Sequence, residues 1–293
     1  MSNMDYCFVF GAPRSGTTFL VNVLSKLRET VGKSGQLIPV AIPHIASQNI
    51  SRSVYRALAT SIRQNIEGYL ASSYHSRFRA LEWWLDAPEQ YERLRHVVRS
   101  GSRPRPKRFV YKEPFLGLCP ELIVKSIPDA RLIHIYRDGR DVANSLVSTY
   151  DVLTDKKLTH LREAEMLFGR AYDDRYVPSW VDPDSDEAFI ESSSYVRSIW
   201  LWKAIVDRCR RFLEENGGEY ECLELRYERL AQSPSKVGDE ILEFFGCDET
   251  GAFRRKLATA RESSIGKYET RNPEEVVNAE KIAGILLEEL HYL

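Results

Sequence analysis

Two short segments of the chain carry side chains suited to holding phosphate groups. The first is GAPRSGTT, residues 11–18, in which two glycines bracket a loop that contains Arg14 and Ser15. The second starts at Arg137 and reaches Ser145, eight residues further along the chain. Guanidinium groups and hydroxyls bind phosphate oxygens, and a glycine loop that opens a helix directs backbone N–H groups at one point. The first segment therefore predicts an anion site, and the second is a candidate for another.

The loop departs from the nucleoside-triphosphate signature at one informative position. Its glycines have the G-x-x-x-x-G spacing, but Thr17 stands where a lysine should follow. That lysine normally contacts the β- and γ-phosphates, and the next hydroxyl normally holds Mg²⁺. The cation here is Arg14, inside the loop. We therefore expect a nucleotide with a 5′ phosphate-like group, without a triphosphate and without a metal, bound by Arg14, Ser15, Gly16, Thr17 and Thr18.

The second segment supports two interpretations equally well when it is read alone. Arg137 ends an apolar run, and Ser145 falls about two turns into the helix that follows, so both could serve a phosphate. Alternatively, Arg137 pairs with Asp138 or Asp141, and Ser145 is an ordinary helix residue.

Short apolar runs alternate with helical patterns and must position these groups. Residues 7–10, 109–111, 131–136 and 220–226 are β-prone, and helices are expected after residue 17 and over residues 119–127, 192–215, 235–245 and 273–290. Residues 28–43 are expected to form a connection with one short strand. In an open parallel sheet, ligands gather at the carboxyl ends of the strands. Lys112, which follows the second run, is therefore a candidate for a position beside the glycine loop, although a surface pair of Lys112 with Glu113 is the interpretation that the residues alone favour.

Composition narrows the class of protein further. The chain has 293 residues, 43% of them hydrophobic, which is enough for one large α/β domain over residues 1–293. A formal net charge of -1 argues against a general nucleic-acid binder, and we expect no membrane span. The five cysteines lack a C-x-x-C pair, so we expect reduced thiols in the cytoplasm and no zinc site. The sequence does not indicate an oligomeric state.

Two regions between these runs are candidates to border the part of the site where a molecule other than the nucleotide binds. Residues from about 44 to 108 have a helical pattern and are expected to form an insertion outside the sheet. Residues from about 151 to 191 mix aromatic and acidic side chains around two prolines. A mobile lid and a solvated surface loop are equally good interpretations of this second region.

Four motifs together resemble the sulfotransferases that use 3′-phosphoadenosine 5′-phosphosulfate (PAPS). These are GAPRSGTT, YKEPF, IYRDGRDVANS and LRYERL, in the order of that family. The resemblance implies a three-layer α/β/α fold with a central parallel sheet, similar to that of P-loop NTPases. It also implies that the loop binds the 5′-phosphosulfate, that Arg137 and Ser145 bind the 3′-phosphate, and that Tyr227 contacts adenine. Ser264 and Lys267, in a polar segment near the C-terminus, are further nucleotide contacts by the same resemblance.

The implied reaction is transfer of a sulfuryl group from PAPS to an acceptor hydroxyl by in-line displacement, with a small molecule or glycan as the favoured acceptor. Arg14 and Lys112 would neutralise charge on the leaving phosphate. The catalytic base is open, because Pro114 stands where the small-molecule enzymes of the family have a histidine. Gln36, in the region where other members carry a glutamate, cannot act as a base. His44 is the first candidate and Glu113 the second.

Two alternatives from other classes remain. One is a P-loop nucleotide kinase or other NTPase with an unusual loop, and the other is a catalytically silent nucleotide-binding module. The missing lysine before Thr18 argues against a kinase. Preference for a 3′-phosphate over Mg-ATP would separate the first alternative from a sulfotransferase. Binding without turnover would identify the second.

Overall fold

A computed structural model describes residues 4–35, 37–73, 106–164, 168–216 and 218–293. Seven strands are present among these residues: β1 (Asp5–Phe10), β2 (Thr30–Ser34), β3 (Arg108–Lys112), β4 (Arg131–Tyr136), β5 (Gly169–Tyr172), β6 (Arg175–Pro178) and β7 (Cys222–Arg226). Five of them form a parallel sheet in the order β2-β3-β1-β4-β7. The other two, β5 and β6, form an antiparallel pair.

Helices of very different lengths connect the strands. The α-helices of the described residues are α1 (Thr17–Leu24), α2 (Ala41–Ala46), α3 (Arg52–Ser73), α4 (Pro120–Ser126), α5 (Gly139–Tyr150), α6 (Asp155–Glu163), α7 (Asp186–Glu191), α8 (Ser194–Glu215), α9 (Tyr227–Gln232), α10 (Pro234–Phe245), α11 (Gly251–Leu257) and α12 (Pro273–Glu289). A short 3₁₀ turn, Pro114–Leu118, joins β3 to α4.

The main sheet is buried on both faces, which makes the fold three layers deep. Phe8 and Phe10 of β1 pack into a cluster that includes α3, α4, α5, α8 and α12. Cys7 and Val9, the alternate residues, pack into a second cluster with α1, α10 and α11. Successive strand side chains point to opposite faces, so a strand that is apolar at every position requires a layer on each side. The expected α/β/α architecture is confirmed.

The carboxyl ends of the parallel strands meet at one edge of the sheet. Val9 pairs in register with Lys112, and Phe10 pairs with His134, two residues before the end of β4. The residues that follow the strands are therefore neighbours: the glycine loop after β1, Glu113 after β3 and Arg137 after β4. His134 is buried, and its ring stacks on that of Phe10 with 5.2 Å between the ring centres.

Residues 151–191 do not form the solvated surface loop that is one of the two interpretations of their sequence. They contain α6, the hairpin of β5 and β6, and α7. These elements surround their own apolar cluster of Leu158, Val177, Val181, Phe189 and Ile190. The hairpin was missed because its strands are only four residues long and turn at Asp173, which has a positive φ of 51°. Whether the region acts as a lid stays a prediction.

The expected helical insertion is described only in part. α3 buries Ile62, Ile66 and Leu70 on one face, as their spacing predicts. The remainder, residues 74–105, and Gln36 lie outside the described residues. Of the helices in the described ranges, none combines the length and apolar composition that crossing a membrane requires.

Candidate functional site

The glycine loop holds a conformation that depends on its two glycines. Gly11 has a φ of 145°, and a Cβ on it would lie 2.0 Å from the Ile135 carbonyl oxygen. Gly16 has a φ of 96°, and its Cβ would lie 2.7 Å from the ring of Tyr227. Left-handed backbone and close approach both exclude other residues at these positions. The loop is therefore pressed against the ends of β4 and β7, where the other candidate groups lie.

Ser15 is the clearest indication of an anion site in this loop. Its side chain is fully buried, and its hydroxyl has no hydrogen-bond partner among the described residues. Buried polar atoms are rarely left unpaired, so such a hydroxyl beside a helix N-terminus fits an anion that would accept a hydrogen bond from it. The helix concerned is α1, whose N-cap Gly16 brings no side chain to satisfy the first-turn N–H groups. Thr17 is buried within that turn, and Thr18 is exposed.

Arg14 extends from the loop toward α5. It has a positive φ of 72°, and its side chain is exposed. Its Nε donates to the Ser145 hydroxyl at 2.9 Å, and its Nη1 donates to the Tyr150 hydroxyl at 3.3 Å. The guanidinium also lies 5.3 Å from the Tyr150 ring centre. The loop cation and the predicted second-phosphate hydroxyl are thus in direct contact, although 131 residues separate them in sequence.

Arg137 lies on the other side of Arg14 and is almost fully buried. Its backbone carbonyl accepts the indole N–H of Trp202 at 3.0 Å, which fixes the end of β4 against α8. Its guanidinium donates to the carbonyl oxygens of Arg14 and Ser264 and lies 5.0 Å from the Tyr227 ring centre. The buried Nε has no partner among the described residues. A buried guanidinium with an unused N–H fits an anion.

The N-terminus of α5 does not provide a second helix-end site. Asp138 caps this helix, and its carboxylate accepts from the Arg140 backbone N–H at 2.9 Å and pairs with the Arg140 side chain. Arg140 in turn bonds Glu280 of α12 at 2.6 Å. The anion that this helix end favours is therefore already supplied by the protein. Any phosphate bound here must be held mainly by side chains such as Arg137.

Asp141 organises this part of the site, and its contacts with the C-terminal polar segment were not predicted from the sequence. Its buried carboxylate lies 3.3 Å from the Arg137 guanidinium, so the ion pair considered as an alternative does exist. The same carboxylate accepts the backbone N–H groups of Gly266 at 2.8 Å and Tyr268 at 3.1 Å. It thereby attaches the C-terminal polar segment to α5. The available signal for the ion pair was the acidic residue in the first turn of α5, four positions after Arg137.

Replacement of Asp141 by asparagine should destabilise the protein by about 1–3 kcal/mol, because an amide cannot accept from three donors and leaves buried N–H groups unpaired. The loss would appear as a lower midpoint in chemical denaturation. Asp184→Asn, at an exposed position, is the matched control. Equal stability of the two variants would show that the Asp141 contacts do not hold the segment.

Tyr227 and Ser264 belong to the same network, whereas Lys267 stands apart. The hydroxyls of Tyr227 and Ser264 lie 2.9 Å from each other, and the Tyr227 hydroxyl also donates to the Arg261 carbonyl at 3.2 Å. Tyr227 is buried at the end of β7, with its ring against Gly16. Lys267 is exposed, and the segment reaches α5 through its backbone at Gly266 and Tyr268. Two of these three predicted contacts therefore lie beside Arg137.

Lys112 and Glu113 adjoin the glycine loop at the end of β3. Burial lowers the pKa of Lys112, and the nearby charge of Arg14 acts in the same direction, while Glu113 opposes both. Burial raises the pKa of the Glu113 carboxyl above its ordinary value, and the charge of Lys112 opposes this increase. The Glu113 side chain is only slightly exposed and faces Gly35, just past β2. The pair offers a cation and a carboxylate whose affinity for protons is increased.

His44 lies on α2 between two aromatic rings. Its ring centre is 4.9 Å from that of Phe115 and 5.5 Å from that of Phe168. Burial lowers the pKa of His44, and its Nδ1 is buried without a partner among the described residues. The neighbouring Phe115 belongs to the turn that follows Glu113. The two candidate bases are thus on adjacent elements, but His44 has aromatic neighbours and Glu113 has charged ones.

The described part of the chain contains no group of three or more His, Cys, Asp or Glu side chains arranged to hold a metal ion. Direct contacts join Arg14, Ser145, Arg137, Ser264 and Tyr227 into one network at the carboxyl edge of the sheet. The loop residues, Lys112 and Glu113 border it. Such a site can bind an anionic ligand at both the loop and Arg137.

Comparison with known proteins identifies the fold and the family. The structure is similar to the sulfotransferase STF9 of Mycobacterium avium, with a TM-score of 0.51 and 18% identity, over 99% of this chain and 77% of that one. It is also similar to the sulfotransferase domain of the curacin biosynthetic pathway, with a TM-score of 0.50 and 14% identity, over 97% of each chain. No curated protein sequence matches the chain. A model of the sulfotransferase family, Sulfotransfer_3, matches residues 7–189, which is more than half of the chain, so this protein belongs to the sulfotransferase family.

Proposed function

We propose that the protein transfers a sulfuryl group from PAPS to an acceptor hydroxyl. The observation that carries the proposal is the pairing of two anion-binding groups across one site. One group is the unpartnered Ser15 hydroxyl with the start of α1, and the other is Arg137, whose buried Nε has no partner among the described residues, with Ser145 bonded to Arg14 nearby. PAPS has a phosphosulfate at its 5′ end and a phosphate at its 3′ end. A nucleotide with anions at both ends of its ribose matches this pairing better than a mononucleotide does.

The residues around the loop support a phosphosulfate rather than a triphosphate. Thr17 replaces the lysine that reaches the β- and γ-phosphates of a triphosphate. Arg14 and Lys112 supply two cations at this end, close enough for the Arg14 charge to affect the pKa of Lys112. We assign Tyr227 to a contact with adenine. Ser264 and Lys267, in the polar segment near the C-terminus, are assigned to further contacts with the nucleotide. Aromatic rings are suitable partners for the flat base.

In the proposed reaction, the acceptor oxygen forms a bond to sulfur as the bond from sulfur to the phosphate oxygen breaks. The proton of the acceptor hydroxyl passes to the protein, and the leaving nucleotide carries away the bonding electrons. Arg14 and Lys112 would stabilise the charge that develops on the leaving phosphate. Positioning and charge stabilisation would supply most of the rate enhancement, as they do in phosphoryl transfer.

We assign to Glu113 the role of the base that takes the proton of the acceptor hydroxyl, and we keep His44 as the second candidate. The raised pKa of Glu113 makes its carboxylate a stronger base than an exposed glutamate, and Lys112 beside it links it to the donor end. His44 has one buried nitrogen and packs between two phenylalanines, which is also the environment of a histidine that only fills space. A base placed in this way contributes typically about 10²- to 10⁴-fold to the rate.

The favoured acceptor is a small molecule or a glycan, and residues 1–293 would act as a single domain. Residues 44–108 and 151–191 would border the acceptor, the second region as a lid. We place the reaction in the cytoplasm, where a reducing environment suits the five unpaired cysteines.

The acid side of the pH profile should depend on Glu113. Since burial raises its pKa, its carboxylate becomes available only above the ordinary range of a glutamate, so kcat/KM should rise with pH through that raised value. His44→Phe, which keeps the aromatic contacts, should retain this rise. A profile that loses the rise in the His44 variant would assign the base to His44 instead. Initial rates of acceptor sulfation measured from pH 4.5 to 9 would decide between the two.

Mass spectrometry tests the proposed function directly. Pools of hydroxylated small molecules and oligosaccharides would be incubated with PAPS and the protein, and products heavier by one sulfuryl group would support the proposal. Transfer of a phosphoryl group from Mg-ATP would instead support the kinase alternative. Tight binding of PAPS without any sulfated product across the pools would favour the silent module.

A further inference from the structure

A cavity of 220 Å³ lies on the outer side of α8, away from the nucleotide site. Its walls come from α8, from the segment that follows β6, from Ser47 just after α2, and from Leu118. The volume is below the range of about 300–1,000 Å³ that drug-sized ligands occupy. The cavity is therefore suited to a ligand of one ring, or to the end of a longer chain.

Two tryptophans supply the apolar surface of this cavity. Trp180 and Trp200 both line it, and both are only partly buried. Trp180 packs its edge against Phe189 at 5.7 Å, so that contact holds it in place. Indole rings present large, rigid and flat apolar faces together with one N–H donor. A ligand with a flat apolar face and a polar edge would use both properties.

Two polar atoms of the lining residues are buried without a hydrogen-bond partner in the described parts of the chain. They are the Trp200 Nε1 and the Ser179 Oγ. The indole N–H is a donor only, and the serine hydroxyl can donate as well. Since unpaired buried polar atoms are costly, their grouping around one cavity calls for a partner that offers acceptor oxygens.

The same cavity also offers acceptors. The carboxylates of Asp182 and Asp207 line it, and Asp207 is paired with Arg211. Carboxylates accept hydrogen bonds from hydroxyl groups. A ligand complementary to all of these walls has an apolar ring face, oxygen atoms that accept hydrogen bonds and hydroxyl groups that donate them. We propose that this cavity binds a saccharide unit.

The position of α8 separates this cavity from the nucleotide site. Trp202 is fully buried and donates its N–H to Arg137, so its face of the helix points toward that site. Trp200 precedes it by two residues, which corresponds to about 200° around the helix. The cavity thus opens on nearly the opposite side of α8. Saccharide binding there does not require the nucleotide site, and the inference stands independently of the proposed function.

Saturation-transfer NMR titrations of the full chain would test the inference, with D-glucose, N-acetylglucosamine and D-glucuronate as probes. We expect at least one probe to bind with a millimolar dissociation constant that is unchanged by saturating 3′-phosphoadenosine 5′-phosphate. Trp200→Phe keeps an aromatic face but removes the N–H, and Ser179→Ala removes a single oxygen. Each should raise the dissociation constant by about 3- to 10-fold.

Tyr220→Phe is the matched control, since it removes a hydroxyl from an aromatic residue that stacks on Phe212 outside the cavity. It should bind the probes as the unmodified protein does. Thermal melts would show whether Trp200→Phe folds, and Ser179→Ala carries the test if it does not. The inference is overturned if no probe binds, if both cavity variants bind with unchanged affinity, or if the nucleotide displaces the saccharide.

Discussion

Replacing Arg137 with alanine is expected to weaken the binding of 3′-phosphoadenosine 5′-phosphate by about 100-fold. The guanidinium is buried, and its Nε has no partner among the described residues. Hydrogen bonds to charged groups contribute about 1.5–3 kcal/mol each, which corresponds to factors of roughly 10 to 150. Isothermal titration calorimetry with the free nucleotide would measure the change.

The 5′-monophosphate of adenosine is the informative comparison, because it lacks the 3′-phosphate. Its affinity should change much less in the Arg137→Ala variant, since the loop and α1 remain. Arg56→Ala, at an exposed position on α3, is the control for loss of positive charge. An equal loss of affinity for both nucleotides would contradict the assignment of Arg137 to the 3′-phosphate. It would mean that the residue only supports the site through Asp141 and Ser264.

Glutamine at position 113 should lower kcat by about 100-fold or more while leaving nucleotide affinity within about twofold. The substitution keeps the size of the side chain and removes the carboxylate that would take the acceptor proton. Rapid-quench or steady-state rates with an identified acceptor would measure kcat, and calorimetry would measure nucleotide binding.

Glu121→Gln provides the matched control, because Glu121 lies on α4 and pairs at 3.8 Å with Arg208. Its kcat should be unchanged. If Glu113→Gln retains full turnover and His44→Phe does not, the base is His44. Retention of turnover in both variants would exclude both candidates.

The sequence alone predicts the strands in which the local pattern of apolar residues matches the burial of those residues. β4 spans Arg131–Tyr136 as predicted, and β1 and β3 extend their predicted segments by one or two residues. These strands are apolar at successive positions because both of their faces are buried, so the pattern is strong. The order of the strands explains why the residues after β1, β3 and β4 come together.

Contacts between distant residues could not be predicted in the same way. The bond from Arg14 to Ser145 and the anchoring of Gly266 by Asp141 each join residues more than 120 positions apart. The exposed Arg14 and the buried Asp141 look alike as charged residues in a sequence, and only the packing of α5 against the loop distinguishes them. The cavity beside α8 likewise joins Trp180 to Trp200 through tertiary packing.

Titration of the protein with 3′-phosphoadenosine 5′-phosphate in the absence of divalent metal, followed by calorimetry, tests the central claim most directly. We predict one nucleotide bound per chain, with an affinity at least 100-fold higher than that for adenosine 5′-monophosphate and no increase on adding Mg²⁺. Preference for Mg-ATP over the 3′-phosphorylated nucleotide would contradict the assignment of Arg137 and Ser145 to a 3′-phosphate, and with it the proposed use of PAPS.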